Sequence, residues 1–299
     1  MIDPIQDTTE FAKATFGEKL FASPEQPVQI QFGASTHAGK VRPHNEDHYA
    51  VVKRSRSIEL PLTNLSLDDL VLSNDHNYSM VVADGIGGAN HGELASRLAL
   101  QTMFELASQA TTWVMRLTDL EVQQIQQRVE AYVERIQSTL RKYGQFDPEL
   151  AGMGTTWTSA HLFPPCAVVV HLGDSRAYVF RDGKLNQITR DETMAQAFID
   201  SGMEPESVTR FGHILLNSFG GGNDDVSAQI HQLRFEPGDQ LLLCTDGLSD
   251  MVSDDEIARQ LSRSAAPQSA CDNLTNLALE HGGKDNVTVV LAVAAAATS

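Results

Sequence analysis

Cysteine is scarce, with three in 299 residues, at Cys166, Cys244 and Cys271. The count is odd and the spacings match no zinc or redox pattern, so neither a disulfide framework nor a thiolate zinc site underlies the fold. Cys166 and Cys244 lie in apolar, strand-like runs, and buried free thiols in a reducing compartment are expected. Basic residues are also short, 22 against 39 acidic ones, for a net charge of −17. That balance opposes non-specific binding to nucleic acid or anionic membrane and favours cations or basic partners. No apolar run approaches membrane-spanning length. The stretch "MIDPIQDTTEFAKATFGEKL" has no basic start followed by an apolar core, so no secretory signal is expected. These absences predict a cytoplasmic protein with neither a nucleic-acid nor a membrane partner.

What is present is ordinary globular composition, 41% hydrophobic and 20% charged, with ample chain for a core. Residues 1–27 are polar, carry Pro4, Pro24 and Pro27, and read as an N-terminal extension with one short helix. "VQIQFGASTH" at 28–37 alternates like a strand, and "HYAVV" at 48–52 and "YSMVVAD" at 78–84 follow as strands. Residues 54–77 lack a period and read as a long loop. Helices are predicted over 93–108 and 118–142, the second with Val122, Ile125, Val129, Val133, Ile136 and Leu140 on one face and a Thr118–Glu121 capping box. Strands then dominate, with Asp182-Gly183 as a two-residue hairpin turn. Residues 192–222 are polar and partly helical, 253–281 are helical in two pieces, and "DNVTVVLAVA" is a terminal strand. Strands and helices segregate without βαβ alternation, which predicts antiparallel sheets with helices packed outside, in one domain.

Several acids sit where an apolar strand ends or begins. Asp84 follows "SMVVA", Asp174 follows "VVVHLG", and Asp246 follows "LLLCT"; Asp285 precedes "NVTVVLAV", and Glu46 and Asp47 precede "HYAVV". Strand ends on one side of a sheet converge, and carboxylates gathered there repel one another and raise each other's pKa. A divalent cation relieves that repulsion. Hard oxygen donors without a Cys/His pattern point to Mg²⁺ or Mn²⁺ rather than Zn²⁺. Gly85 permits close backbone approach, so its carbonyl can join the donors. Arg42, four residues before Glu46, carries a guanidinium able to fork onto phosphate.

With those residues in place, the chain resembles a bacterial metal-dependent protein phosphatase of the type 2C (PPM) family. The matching stretches, in order, are "VRPHNEDHY", "VVADGIGG…GELAS", "GMGTT", "VVVHLGDSRAYVFRDGKLNQITRDET", "LLLCTDGLSDMV" and "GGKDNVTVVLA". The resemblance implies an α+β fold, two stacked antiparallel β-sheets flanked by helices, over residues 28–295, with a flap at 191–222. It implies two core metals, Mn²⁺ or Mg²⁺, and a third. Asp84 then bridges two metals, Gly85 offers its carbonyl to the first, and Asp246 and Asp285 hold the second. Asp174 with Asp246 takes the third, Arg42 binds phosphate, and Glu46 holds metal-bound water. It further implies hydrolysis of phosphoserine and phosphothreonine in proteins by a metal-bridging water, without a phosphoenzyme, opposite a Ser/Thr kinase, by a monomer.

The chain departs from the family pattern in places. Many members have His where Ile86 or Ala89 stands, and the flap begins "RDET" where "DHS" is common. With those positions excluded, His91 is the nearest imidazole available as general acid; His44 is its rival, and a metal-bound water is the third option. The alternative to an enzyme is a phosphatase-like adaptor or sensor with slow or no turnover.

Overall fold

The computed structural model describes residues 28–57, 62, 74–87, 91–109, 119–223 and 225–296. Residues 1–27 and the side chains of the capping pair Thr118 and Glu121 lie outside that description. The strands, in chain order, are β1 (Val28–His37), β2 (His48–Ser57), β3 (Asn74–Ala83), β4 (Gly85–Ile86), β5 (Gly154–Thr155), β6 (Trp157–Phe163) and β7 (Cys166–Leu172). They continue as β8 (Arg176–Arg181), β9 (Lys184–Gln187), β10 (Phe219–Gly220), β11 (Gln229–Arg234), β12 (Gln240–Cys244) and β13 (Val287–Ala296). One antiparallel sheet has the order β1-β13-β12-β8-β9 and the other β11-β7-β6-β3-β2.

The alternation of apolar residues dictates the layers. In β12, Leu241 and Leu243 face the opposite sheet and pack with Met80, Val82, Leu162 and Val169. Leu242 and Cys244, one residue out of phase, face the helices Asp254–Arg263 and Pro267–Glu280 through Ile257, Leu261, Cys271 and Leu274. On the far side, Val81 and Ala83 of β3 face the helices His91–Gln109 and Asp119–Phe146 through Leu98, Met103, Val133 and Ile136. A period of two in the strands thus gives each sheet one face for its partner and one for helices. The fold is α+β, a sandwich of two antiparallel sheets flanked by helices, as the resemblance implied.

Two details concern individual readings. The turn at Asp182-Gly183 is the predicted hairpin, with φ of 51° and 77° at its two residues, the left-handed pair a type I′ turn demands. The reading of 54–77 as loop fails at both ends. Strand β2 runs on to Ser57 and β3 begins at Asn74, paired from His48–Ala83 to Ser57–Asn74. Polar residues on both faces of the outer half of this edge hairpin, such as Arg54 opposite Asn77 and Ser55 opposite His76, leave no hydrophobic period to read.

A third, small sheet of order β10-β5-β4 lies at one end of the sandwich. It joins Gly85, Gly154 and Gly220 and brings the end of the 191–222 excursion beside the strand-end acids.

Candidate active site

Asp84 follows β3 directly, and its backbone is held by two threonines. Its N–H donates to Thr156 Oγ1 at 3.0 Å, and its carbonyl accepts from Thr155 Oγ1 at 2.8 Å and Thr156 N–H at 2.9 Å. Thr156 Oγ1 also meets Ser175 Oγ at 2.7 Å, so a single residue ties the turn bearing Asp84 to the turn bearing Asp174. Asp246 opens the short helix Asp246–Ser249 at the end of β12. The four acids Asp84, Asp174, Asp246 and Asp285 stand on separate segments brought to one end of the sandwich.

The electrostatics show that Asp84, Asp174 and Asp246 meet. Burial raises Asp84 well above the ordinary carboxylate value, and the charges of Asp47, Asp246 and Asp174 raise it further. Asp174 is raised well above its ordinary value by burial and then by Asp246, Asp191 and Asp250. Asp246 is pushed up to about 6 by burial, with Asp250 and Asp285 adding to it.

The rim is built from the loop before β2. Arg42 Nη2 donates to Asp285 Oδ2 at 2.6 Å, in a pair with half-exposed side chains, worth up to about 1 kcal/mol in such a setting. Glu46 is raised by burial, with Arg42 lowering it and Asp285 raising it. The loop itself hangs on Asn286. Its Oδ1 accepts from Glu46 N–H at 2.8 Å, and its Nδ2 donates to the carbonyls of Ala38 at 2.9 Å and His44 at 2.8 Å.

Gly85 and Gly92 make the cradle. A Cβ on Gly85 would stand 2.3 Å from the Gly92 carbonyl oxygen, so no side chain fits. A Cβ on Gly92 would stand 2.6 Å from the Gly85 carbonyl oxygen and 2.9 Å from Glu46 Oε2. Those two oxygens therefore crowd against Gly92, where only glycine fits. His91 begins the helix beside them, its Cβ 3.4 Å from where a Cβ on Gly87 would lie. His44 sits on the exposed rim loop.

Several residues of the site were given no role from sequence, although Asp47 was named among the strand-end acids. Asp47 is buried, accepts from Thr288 Oγ1 at 2.7 Å and Thr245 Oγ1 at 2.9 Å, and is raised to about 7 by its burial. Arg176 binds Asp191 through Nε at 2.9 Å and Nη2 at 2.7 Å, beside Asp174 and Asp250. Burial alone would lower Arg176; the bonds to Asp191 outweigh it and raise it. The signal for Asp47, Asn286 and Arg176 was their place beside strand ends, where a polar group must find partners or pay for desolvation.

The donor set can be tested for a divalent cation. Among the described residues no three His, Cys, Asp or Glu side chains close into a finished cage. Mg²⁺-type sites do not need one, because they keep several waters and take few carboxylates. The buried Asp246 Oδ1 has no hydrogen-bond partner, and the Gly85 carbonyl and Glu46 Oε2 crowd together beside Gly92. All donors are hard oxygens. Crowded carboxylates and an orphaned buried oxygen fit Mn²⁺ or Mg²⁺.

Thiol chemistry is excluded by position. Cys244 is fully buried, with its thiol pushed up to about 12 by desolvation. Cys166 and Cys271 are also buried and raised, to about 11 and about 12. No thiolate forms near neutrality under such conditions.

The family model for protein phosphatase 2C matches residues 63–279. This chain belongs to the protein phosphatase 2C family. The 2C-type chain is 35% identical over 216 residues to the serine/threonine protein phosphatase PstP of Mycobacterium tuberculosis, covering 71% of this chain and 40% of PstP. It thus spans less than half of that relative. It is 27% identical over 260 residues to the serine/threonine phosphatase stp of Listeria monocytogenes, covering 86% of this chain and 92% of stp. The structure of the PstP catalytic domain in complex with two manganese ions aligns with a TM-score of 0.69 at 30% identity, covering 90% of this chain and all of that one. A bacterial serine phosphatase aligns with a TM-score of 0.74 at 27% identity, covering 92% of this chain. Among the described residues of the 2C-type chain, no helix is long and apolar enough to cross a membrane.

Proposed function

We propose that this chain is a metal-dependent protein serine/threonine phosphatase, with its catalytic domain over residues 28–295 and its flap at 191–222. The carrying observation is the group of buried carboxylates Asp84, Asp174 and Asp246, all raised by burial, Asp84 and Asp174 further by Asp246, with Asp285 and Arg42 at its rim. Asp84, the Gly85 carbonyl, Asp174, Asp246 and Asp285 would hold two Mn²⁺ or Mg²⁺ ions and a third. Bound metal supplies Lewis acidity, lowering the pKa of water and offsetting phosphate charge.

The chain's own residues supply the rest. Arg42, tethered to Asp285 through one of its donors, presents the remaining ones to the phosphoryl oxygens and orients the substrate. Glu46, half-buried and raised by that burial, orders water beside the cradle. An imidazole nitrogen of His91 delivers a proton to the departing seryl or threonyl oxygen, which is a poor leaving group. The buried cysteines leave no covalent nucleophile of that type. Substrates are proteins carrying phosphoserine or phosphothreonine, made by an opposing kinase. The three free, buried thiols support a reducing, cytoplasmic setting, and the protein acts as a monomer.

The test is hydrolysis of a phosphothreonyl peptide and of nitrophenyl phosphate, with Mn²⁺ and with chelator. Turnover of both that depends on Mn²⁺ supports the reading. A folded protein that binds Mn²⁺ and turns over neither would be an adaptor instead.

A further inference from the structure

The polar excursion after β9 leaves and rejoins the body at one place. Thr193 and Leu215 face each other in an isolated antiparallel bridge. Beside it, Met194 N–H donates to the Ile214 carbonyl at 2.8 Å, and Leu216 N–H to the Glu192 carbonyl at 2.7 Å. Between them lie the helices Met194–Asp200 and Pro205–Val208, pinned by the edge-to-face rings of Phe198 and Phe211. The excursion is a small packed unit on a narrow root.

Glu192 is that root. Its N–H donates to the Gly173 carbonyl at 2.7 Å, and its Oε2 accepts from Gly173 N–H at 2.9 Å. Glu192 and Gly173 are thus joined in both directions. The same Oε2 accepts from Asn217 Nδ2 at 2.8 Å, on the returning arm. One carboxylate oxygen therefore holds the start of the Gly173–Ser175 turn and the end of the excursion together. Asp174 is the middle residue of that turn. Its other side is fixed to the body, where Ser175 meets Thr156 through Oγ and Thr158 through its carbonyl.

We propose that Glu192 is a positioning residue that couples the excursion 193–215 to Asp174. Ser175 is anchored to the sandwich, so movement at the root of the excursion reaches Asp174 through Gly173 and Glu192. A charged acceptor suits this role, because a bond from a backbone N–H to a carboxylate is stronger and shorter than a neutral one. The effect on metal rests on the reading of Asp174 as a metal ligand; the grip on Gly173 does not.

The test uses metal-free protein first. Hydrogen exchange at the Gly173 amide should be slow in wild type. It should quicken by about tenfold or more in Glu192→Ala, as expected for loss of one charge-assisted bond. Glu192→Asp, one methylene shorter, should lose the protection too, while Glu192→Gln, whose amide oxygen accepts the same donors through a weaker neutral bond, should regain part of it. Mn²⁺ titration then reads the coupling. The weakest Mn²⁺ event should weaken by about tenfold in Glu192→Ala and Glu192→Asp, as in Asp174→Asn, and recover in part in Glu192→Gln. Unchanged Gly173 exchange in both the Ala and Asp variants would overturn the grip. Fast Gly173 exchange with wild-type Mn²⁺ binding would overturn the coupling. Neither readout requires turnover, so wild type that binds Mn²⁺ without hydrolysing phosphopeptide would count against the phosphatase reading alone.

Discussion

Replacing Asp246 by Asn should raise the stability of the metal-free protein at neutral pH. Burial and neighbouring acids lift this carboxyl from 3.8 to about 6. A folded value above the unfolded one means that folding favours the protonated form. The stability it contributes is full below about pH 4 and is lost as the pH rises through about 6. At about 1.4 kcal/mol per pH unit, the ionised form costs about 3 kcal/mol at pH 7. Asn keeps the volume and one acceptor oxygen and carries no charge. In urea titrations with chelator, wild type should lose stability from pH 5 to pH 8. Asp246→Asn should lose less and should be the more stable protein at pH 8. Mn²⁺ should reverse the order, since a ligand at about 100 times its Kd adds about 2.7 kcal/mol to a protein that binds it only when folded. A metal-free Asn variant less stable than wild type at pH 8, or equally steep in pH, would refute the crowding.

Three further outcomes follow from the geometry. Arg42→Ala should raise KM for phosphopeptide and weaken inhibition by free phosphate, with Lys restoring only part because it cannot fork; steady-state kinetics with added phosphate measure both. His91→Ala should slow phosphopeptide hydrolysis far more than nitrophenyl phosphate hydrolysis, because only the alkoxide needs a proton; equal losses would remove His91 from proton transfer. Gly85→Ala places a Cβ 2.3 Å from the Gly92 carbonyl oxygen, an overpacking that should cost about 1–3 kcal/mol in a chelator-treated melt.

Much of this site was legible because its acids obey a local rule. Each follows or precedes an apolar strand, and antiparallel packing brings such ends together. Strand β1 was read to its observed limits, Val28–His37, from its alternation alone. The rest resisted for physical reasons. Asn286 works by binding Ala38, His44 and Glu46, more than 200 positions away. Asp47 works by accepting from Thr245 and Thr288, and Glu192 by gripping Gly173 and Asn217. Partners of that kind are set by the tertiary fold, and no period in the chain announces them. The outer half of the β2–β3 hairpin was missed for the opposite reason, since polar residues on both faces erase the strand signal.

The central claim is that the strand-end carboxylates hold divalent metal, and Mn²⁺ binding measured by calorimetry tests it most directly. The account predicts at least two Mn²⁺ ions per chain, by analogy with the two in the PstP catalytic domain, and loss of that binding in a folded Asp84→Asn protein. Undiminished Mn²⁺ binding by folded Asp84→Asn would contradict it.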